Sequence, residues 1–203
     1  MRRVNKQEPL KEFEDFKVNN KGANWSDFHK LAPEVFQNTR FQILAEEQVF
    51  LCGYTEVLID DDRDCHIDHY IKRNIDASKT FEWNNLIAAC NDEDYGAKYK
   101  DNGYSIKMEE YIEIYNPVID NPEHFFNYLQ NGEIEPKEDL KELDRKKVEK
   151  TVEIFNLNAK SLSNRRAGLI KMISDTKKGG LLGDALREAF STTGFESVKE
   201  QEF

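Results

Sequence analysis

Cysteine is scarce in this chain, and basic side chains are outnumbered. Three cysteines, Cys52, Cys65 and Cys90, are an odd number at wide spacing. That excludes a disulfide scaffold and points to a reducing, cytoplasmic setting. No run approaches 18 apolar residues, so no membrane span is expected. The first residues, MRRVNKQEPL, are basic but lack the apolar stretch of a secretory signal. Internal repeats are absent too. The 29 Lys and Arg against 39 Asp and Glu give a net charge of -10. Such a chain repels phosphate backbones at long range, so nucleic-acid binding would need local basic patches or a partner to deliver the substrate.

Enough remains to build a core: 38% of the 203 residues are hydrophobic and 11% aromatic. This length suits one domain, or a compact core with a helical extension. Leu10, Phe13 and Phe16 recur at helical spacing, and Trp25-Ser26-Asp27-Phe28 opens a second helix. Ala32 to Val49 is amphipathic, with Pro33 fitting its first turn. Residues 50–59 (FLCGYTEVLI) read as a strand or hairpin arm. Asp60 to Arg63 is a turn, Cys65 to Ile71 a second extended segment, and residues 81–90 lead into a short helix around 91–99. Ile112, Ile114 and Tyr115 predict a strand, and Phe125 to Glu135, with Asn131-Gly132 at its centre, a hairpin. Residues 138–173 read as helical with a break at Asn156-Leu157-Asn158. Leu140, Leu143, Val148, Val152 and Phe155 mark the apolar face. Residues 177–183 are expected to be flexible, followed by a short helix or a disordered tail.

Two of the four histidines fall in one stretch, Asp64-Cys65-His66-Ile67-Asp68-His69-Tyr70. A histidine pair at this spacing on a strand is commonly surface decoration. Asp68-His69 at a strand end can instead divide two jobs. The carboxylate holds a hard divalent cation, and the histidine takes a proton from water. The cation then neutralises charge on a phosphate and its leaving oxygen. Such a base needs its other ring nitrogen fixed by an acceptor, and an asparagine can pin the loop that supplies it. Asn85 is placed for this. A further ligand is expected from the following helix, where Asn91 and Asp94 compete and Lys98 lies one turn on. Lys72 and Arg73, just after His69, are candidates to touch phosphate, and Arg165-Arg166 with Lys171, Lys177 and Lys178 form the one basic region.

The order Asp-His, Asn-Leu-x-x-x-Cys-x-x-x-Asp resembles the HNH endonucleases of the ββα-metal class. Cys52-Gly-Tyr-Thr55, His66-Ile-Asp-His69 and Trp83-Asn-Asn-Leu86 are similar to the HNH proteins called PtuB, of Septu-type and retron-linked anti-phage systems. Landmarks outside the motif extend the likeness over residues 1–173: Trp25-Ser-Asp-Phe28, Leu44-Ala-Glu-Glu-Gln48, Asn121-Pro122-Glu123 and Phe155-Asn-Leu-Asn158. The resemblance implies a role for each. Asp68 corresponds to the first metal ligand, His69 to the general base and Asn85 to the middle asparagine. Asp94 or Asn91 corresponds to the third ligand, and His66 to a supporting group. Mg²⁺ or Mn²⁺ is the implied cofactor. A PtuA-like ATPase is the implied partner, with or without a retron reverse transcriptase and its RNA–DNA product (msDNA and ncRNA). Relatives carry two Cys-x-x-Cys pairs around zinc. Here Thr55 and Glu93 stand at the second positions, so no structural zinc is expected, and Tyr54, Trp83 and Leu86 must pack the unit together.

The expected fold is α+β and mostly helical. It has an N-terminal helical segment (1–48), an HNH core (49–100), a helical extension (101–176) and a flexible tail (177–203). The leading functional expectation is a metal-dependent nuclease, with Lys72, Arg73 and Lys98 toward the nucleic acid. The alternatives are a catalytically weak or dead HNH-fold adaptor on the ATPase, and a zinc protein using Cys52, Cys65, Cys90 and His66.

Overall fold

The computed structural model describes all 203 residues. The fold is α+β and mostly helical, at 51% helix with two small two-stranded sheets. The first three helices are α1 (Lys11–Asn19), α2 (Trp25–Leu31) and α3 (Pro33–Gln42), which runs on through a π-turn over Ile43–Glu47. Asn24 caps α2 in a reciprocal box with Asp27, and Pro33 starts α3, where a missing N–H costs nothing. Phe13, Phe16, Trp25 and Phe28 are buried and pack ring against ring, Phe13 and Trp25 each edge to face with Phe28, with Phe81 from the later loop against them.

The central hairpin is β1 (Cys65–His69) against β2 (Leu86–Cys90), antiparallel, with Asp68 opposite Ile87 and His69 opposite Leu86. This corrects two expectations. Residues 86–90 form a strand rather than an approach to a helix. All five are buried, and a short apolar run enclosed on both faces carries no periodicity to tell strand from helix. Residues 50–59 do not form a strand arm; only Leu51 and Leu58 bridge, around a tight turn closed by Cys52 and Val57. That turn docks on β2 through one backbone bond, Gly53 N–H to Ala88 O at 3.0 Å. The Gln48 carboxamide also pairs with both polar groups of Ala88. A Cβ on Gly53 would meet Ile87 at 2.4 Å, so glycine is required there.

After β2 comes the short α4 (Gly96–Lys98), which widens into a π-helix over Tyr99–Tyr104 and packs back on β2. The segment expected as a strand at 112–115 is instead a 3-10 turn over Met108–Glu113. It has no strand beside it, Ile112 is 83% exposed, and the N–H of Tyr115 donates to the Thr151 hydroxyl. The second hairpin is present as expected, β3 (Phe126–Tyr128) with β4 (Ile134–Pro136). Its Gly132 has a positive φ and lies so close to α6 (Lys160–Lys178) that a Cβ would strike the Ser163 carbonyl. The helical stretch is α5 (Glu142–Ile154) and α6, broken at 155–159 as expected. Val148, Thr151 and Ile154 turn inward while Leu143 is 79% exposed. Arg166 is buried, donating to the carbonyls of Gly132 and Leu157, so it does not belong to a basic surface.

The tail resolves into α7 (Gly183–Ala189) and α8 (Glu196–Glu202). It is tied down where Phe195 N–H donates to the carbonyl of Glu56 and Ser197 bonds the buried Glu56 carboxylate. No helix is long and apolar enough to cross a membrane.

Candidate active site

Asp68 and His69 are the last two residues of β1, both buried to 5% exposure because the hairpin is covered on each side. The His69 ring meets the face of Trp25 edge-on at 4.5 Å. Its Nε2 lies 2.9 Å from the carbonyl of Thr80. A carbonyl only accepts, so Nε2 carries the proton and Nδ1 is left with its lone pair. Burial, against the opposing pull of the Thr80 carbonyl and Asp68, lowers the His69 pKa to about 4. The imidazole is therefore neutral, as a proton acceptor requires.

Asn85 sits in the short turn before β2 and is also buried. Its Oδ1 accepts from Ile71 N–H at 2.7 Å, and its Nδ2 donates to the carbonyls of Ile71 and Lys79, both at 3.0 Å. Lys79 precedes Thr80. One side chain thus closes the loop base on both sides and holds the carbonyl that orients His69.

The Asp68 carboxylate has two unlike oxygens. Oδ2 accepts from the Tyr54 hydroxyl at 2.5 Å and faces the Lys100 ammonium at 3.3 Å. Oδ1 takes no hydrogen bond, and the residue lines a cleft of about 420 Å³. Burial, reinforced by the Asp68 charge, holds the Tyr54 phenol protonated, its pKa well above the ordinary value. Lys100 is fully buried, 2.8 Å from Asp101 Oδ1 and 3.2 Å from each of the carbonyls of His69 and Tyr70. Burial works against its charge, but the two carboxylates overcome that and raise its pKa.

The cleft is lined by His66, Asp68, His69, Lys72, Arg73 and Asp101, among others. Arg73 is exposed and pairs with no carboxylate, while Lys72 is anchored by its ammonium to the Asp101 carbonyl at 2.7 Å. His66 shares the strand face of Asp68, and its Nδ1 lies 2.9 Å from Asn91 Oδ1. Asn91 Nδ2 donates to the Arg63 carbonyl, so its Oδ1 is the acceptor and His66 Nδ1 the donor.

The helix-side ligands expected from spacing do not reach Asp68. Cys90 lies opposite Cys65 and Ile87 opposite Asp68, so Asn91 is four residues, about 14 Å, along the strand. Asn91 is engaged with His66 instead. Asp94 is exposed, its carbonyl capped by Asn156, and it does not line the cleft. Lys98 pairs with Glu93 at 2.8 Å, away from the cleft. The residue that does reach Asp68 is Lys100, with Asp101 paired to the same ammonium and lining the same cleft; sequence spacing did not point to either. The chain crosses Asp92 to Tyr95 without helix before turning back, so the facing turn comes later than motif spacing implies. Tyr54, read as packing, is also the donor to Asp68.

No three His, Cys, Asp or Glu side chains converge closely enough to enclose a metal ion by themselves. The open Oδ1 of Asp68 is a hard oxygen donor. It suits a small divalent cation that keeps waters and takes further oxygens from a phosphate, as Mg²⁺ does.

At the opposite end of the hairpin the three cysteines are free and buried. Cys52 and Cys90 are both buried there, with the Thr55 hydroxyl 3.9 Å from Cys90 Sγ. Cys65 points elsewhere, toward the Asp62 carbonyl at 3.2 Å.

The chain is similar to an Escherichia coli protein named "Retron Ec83 putative HNH endonuclease". The two are 22% identical over 204 aligned residues, spanning 84% of this chain and 79% of that protein. No protein-family model matches the chain.

Proposed function

We propose that this chain is a metal-dependent HNH-type endonuclease that hydrolyses phosphodiester bonds in nucleic acid. The reading rests on one observation: a neutral, tautomer-fixed His69 beside a carboxylate with one free oxygen, at the floor of an open cleft. His69 Nδ1 accepts the proton of the attacking water. The Thr80 carbonyl holds the ring through that transfer and takes up part of the imidazolium charge. Asn85 keeps that carbonyl in place. Lys72 and Arg73 meet the phosphate at the cleft rim, and His66, oriented by Asn91, offers a second polar contact. Mg²⁺ or Mn²⁺ on Asp68 Oδ1 would supply charge neutralisation at the phosphate and the departing oxygen.

The similar protein's name supports the endonuclease class and a retron setting. The finer reading is an effector of a Septu- or retron-type anti-phage system, with residues 49–100 as its HNH unit, working with a PtuA-like ATPase. The net charge of -10 is in keeping with such recruitment, since the chain is poorly suited to hold nucleic acid unaided. Supercoiled-plasmid nicking with Mg²⁺ tests the assignment. The wild type cleaves, and His69→Ala loses about 10²-fold or more; equal cleavage by both ends the proposal.

One observation favours a second reading, a quiet adaptor. Asp68 Oδ2 is already occupied by Tyr54 and Lys100. Full phage protection by a His69→Ala variant in its native operon selects that reading.

A further inference from the structure

The Lys100 ammonium is held like a cation in a cage. Four oxygens surround it: Asp68 Oδ2, Asp101 Oδ1 and the carbonyls of His69 and Tyr70, at 2.8 to 3.3 Å. None of its surface is exposed, so it cannot reach substrate. Its geometry to Asp101 Oδ1 is that of an ion pair without an aligned hydrogen bond, leaving that buried oxygen weakly satisfied. The Asp101 side chain is 28% exposed and lines the same cleft as Asp68, and its Oδ2 takes no hydrogen bond. Asp68 Oδ1, on a side chain 95% buried, is likewise without a partner, and the residue lines that cleft. Two oxygens without hydrogen-bond partners therefore belong to carboxylates that line one cleft and share one ammonium.

We propose that Asp68, Lys100 and Asp101 form one charge-balanced cradle, in which Asp101 is the second protein ligand for the divalent cation and Lys100 is a resident cation that keeps its binding weak. The inference rests on reading the cleft as a metal-dependent hydrolytic site. Two carboxylates and one ammonium leave a single net negative charge for the metal. Two protein oxygens leave most of an octahedral shell to water and phosphate. The cradle so built fills properly only when a phosphodiester brings its own oxygen and charge.

Titration of Mn²⁺ into the full chain, followed by the loss of the free-ion EPR signal, tests this without reference to cleavage. Asp101→Asn is expected to weaken Mn²⁺ binding about tenfold or more. Lys100→Met, which leaves two uncompensated carboxylates, is expected to tighten it by a similar factor. A double Lys100→Met/Asp101→Asn variant keeps the net charge and guards against failure of the single Lys100 variant to fold; it is expected to bind more tightly than Asp101→Asn and near the wild-type level, and affinity no better than that of Asp101→Asn overturns the role given to Lys100. Wild-type affinity in Asp101→Asn overturns the proposal, as does a loss confined to Asp94→Asn. Weaker binding in a folded Lys100→Met reduces Lys100 to a structural prop and also overturns it. Cleavage failing while these Mn²⁺ shifts appear would strike the nuclease reading and leave the cradle standing.

Discussion

The two ends of the β1–β2 hairpin are built from the same ladder and held by different chemistry. At the Asp68–His69 end, the buried polar groups that fix the two side chains are matched: Tyr54 to Asp68, Thr80 to His69, and Asn85 to three backbone groups. At the Cys65–Cys90 end, buried thiols meet a threonine hydroxyl and a backbone carbonyl, which are weak and adaptable contacts. The difference teaches where positional accuracy is needed. Directed hydrogen bonds in a low-dielectric setting fix an angle, and removing one partner strands the other. Thiol packing fills volume and tolerates small shifts.

The sharpest way to break the comparison is Asn85→Ala. It strands Ile71 N–H and the carbonyls of Ile71 and Lys79, at a cost of about 3 kcal/mol read from denaturant unfolding. Cleavage should fall as well, because Thr80 is no longer held against His69. A pH series comes next. His69 has a lower pKa folded, about 4, than its ordinary unfolded value of about 6.5. Between these values the unfolded chain binds the extra proton, so stability rises with pH and is lost as pH falls through the window. The loss reaches about 3 kcal/mol by pH 4 in metal-free protein, and a His69→Gln variant lacks that slope. Tyr54→Phe removes the donor to Asp68 and should cost about 2 kcal/mol. The smallest effect is expected at the other end: Cys90→Ser, assayed by thermal unfolding, changes stability by about 1 kcal/mol or less. A Cys90→Ser loss matching that of Asn85→Ala would erase the distinction between the two ends.

Legibility followed sequence distance. Asn85 and His69 were readable because the clasp is local. A histidine base needs an acceptor, the acceptor lies on the connecting loop, and an asparagine at the loop's far foot is the residue to hold it. Lys100 and Asp101 were not readable, because which turn of the helix faces Asp68 depends on how the chain crosses from Cys90 to Gly96. Counting along a motif points to Asp94 or Asn91 as the residue facing Asp68 and cannot see the detour. The 50–59 segment failed for another reason. Its β-rich composition is real, but Gln48 and Gly53 claim the edge of β2 at Ala88, and what remains is a turn. The mostly helical α+β class, the break after α5 and the second hairpin were local patterns, and the structure carries all three.

The Asn85 clasp has one more consequence. By tying residue 71 to residue 79 it makes everything between them an appendage, closed at its neck. Lys72, Arg73 and Asn74 ride on that appendage and line the cleft, while the imidazole and its acceptor lie below the knot. On the nuclease reading, the loop that would meet a target is thereby joined to the His69 clasp through this neck and through the tether of Lys72 to the Asp101 carbonyl. Beyond Lys72, the exposed tip residues Arg73 and Asn74 can therefore be recharged with the contacts among His69, Thr80 and Asn85 left in place.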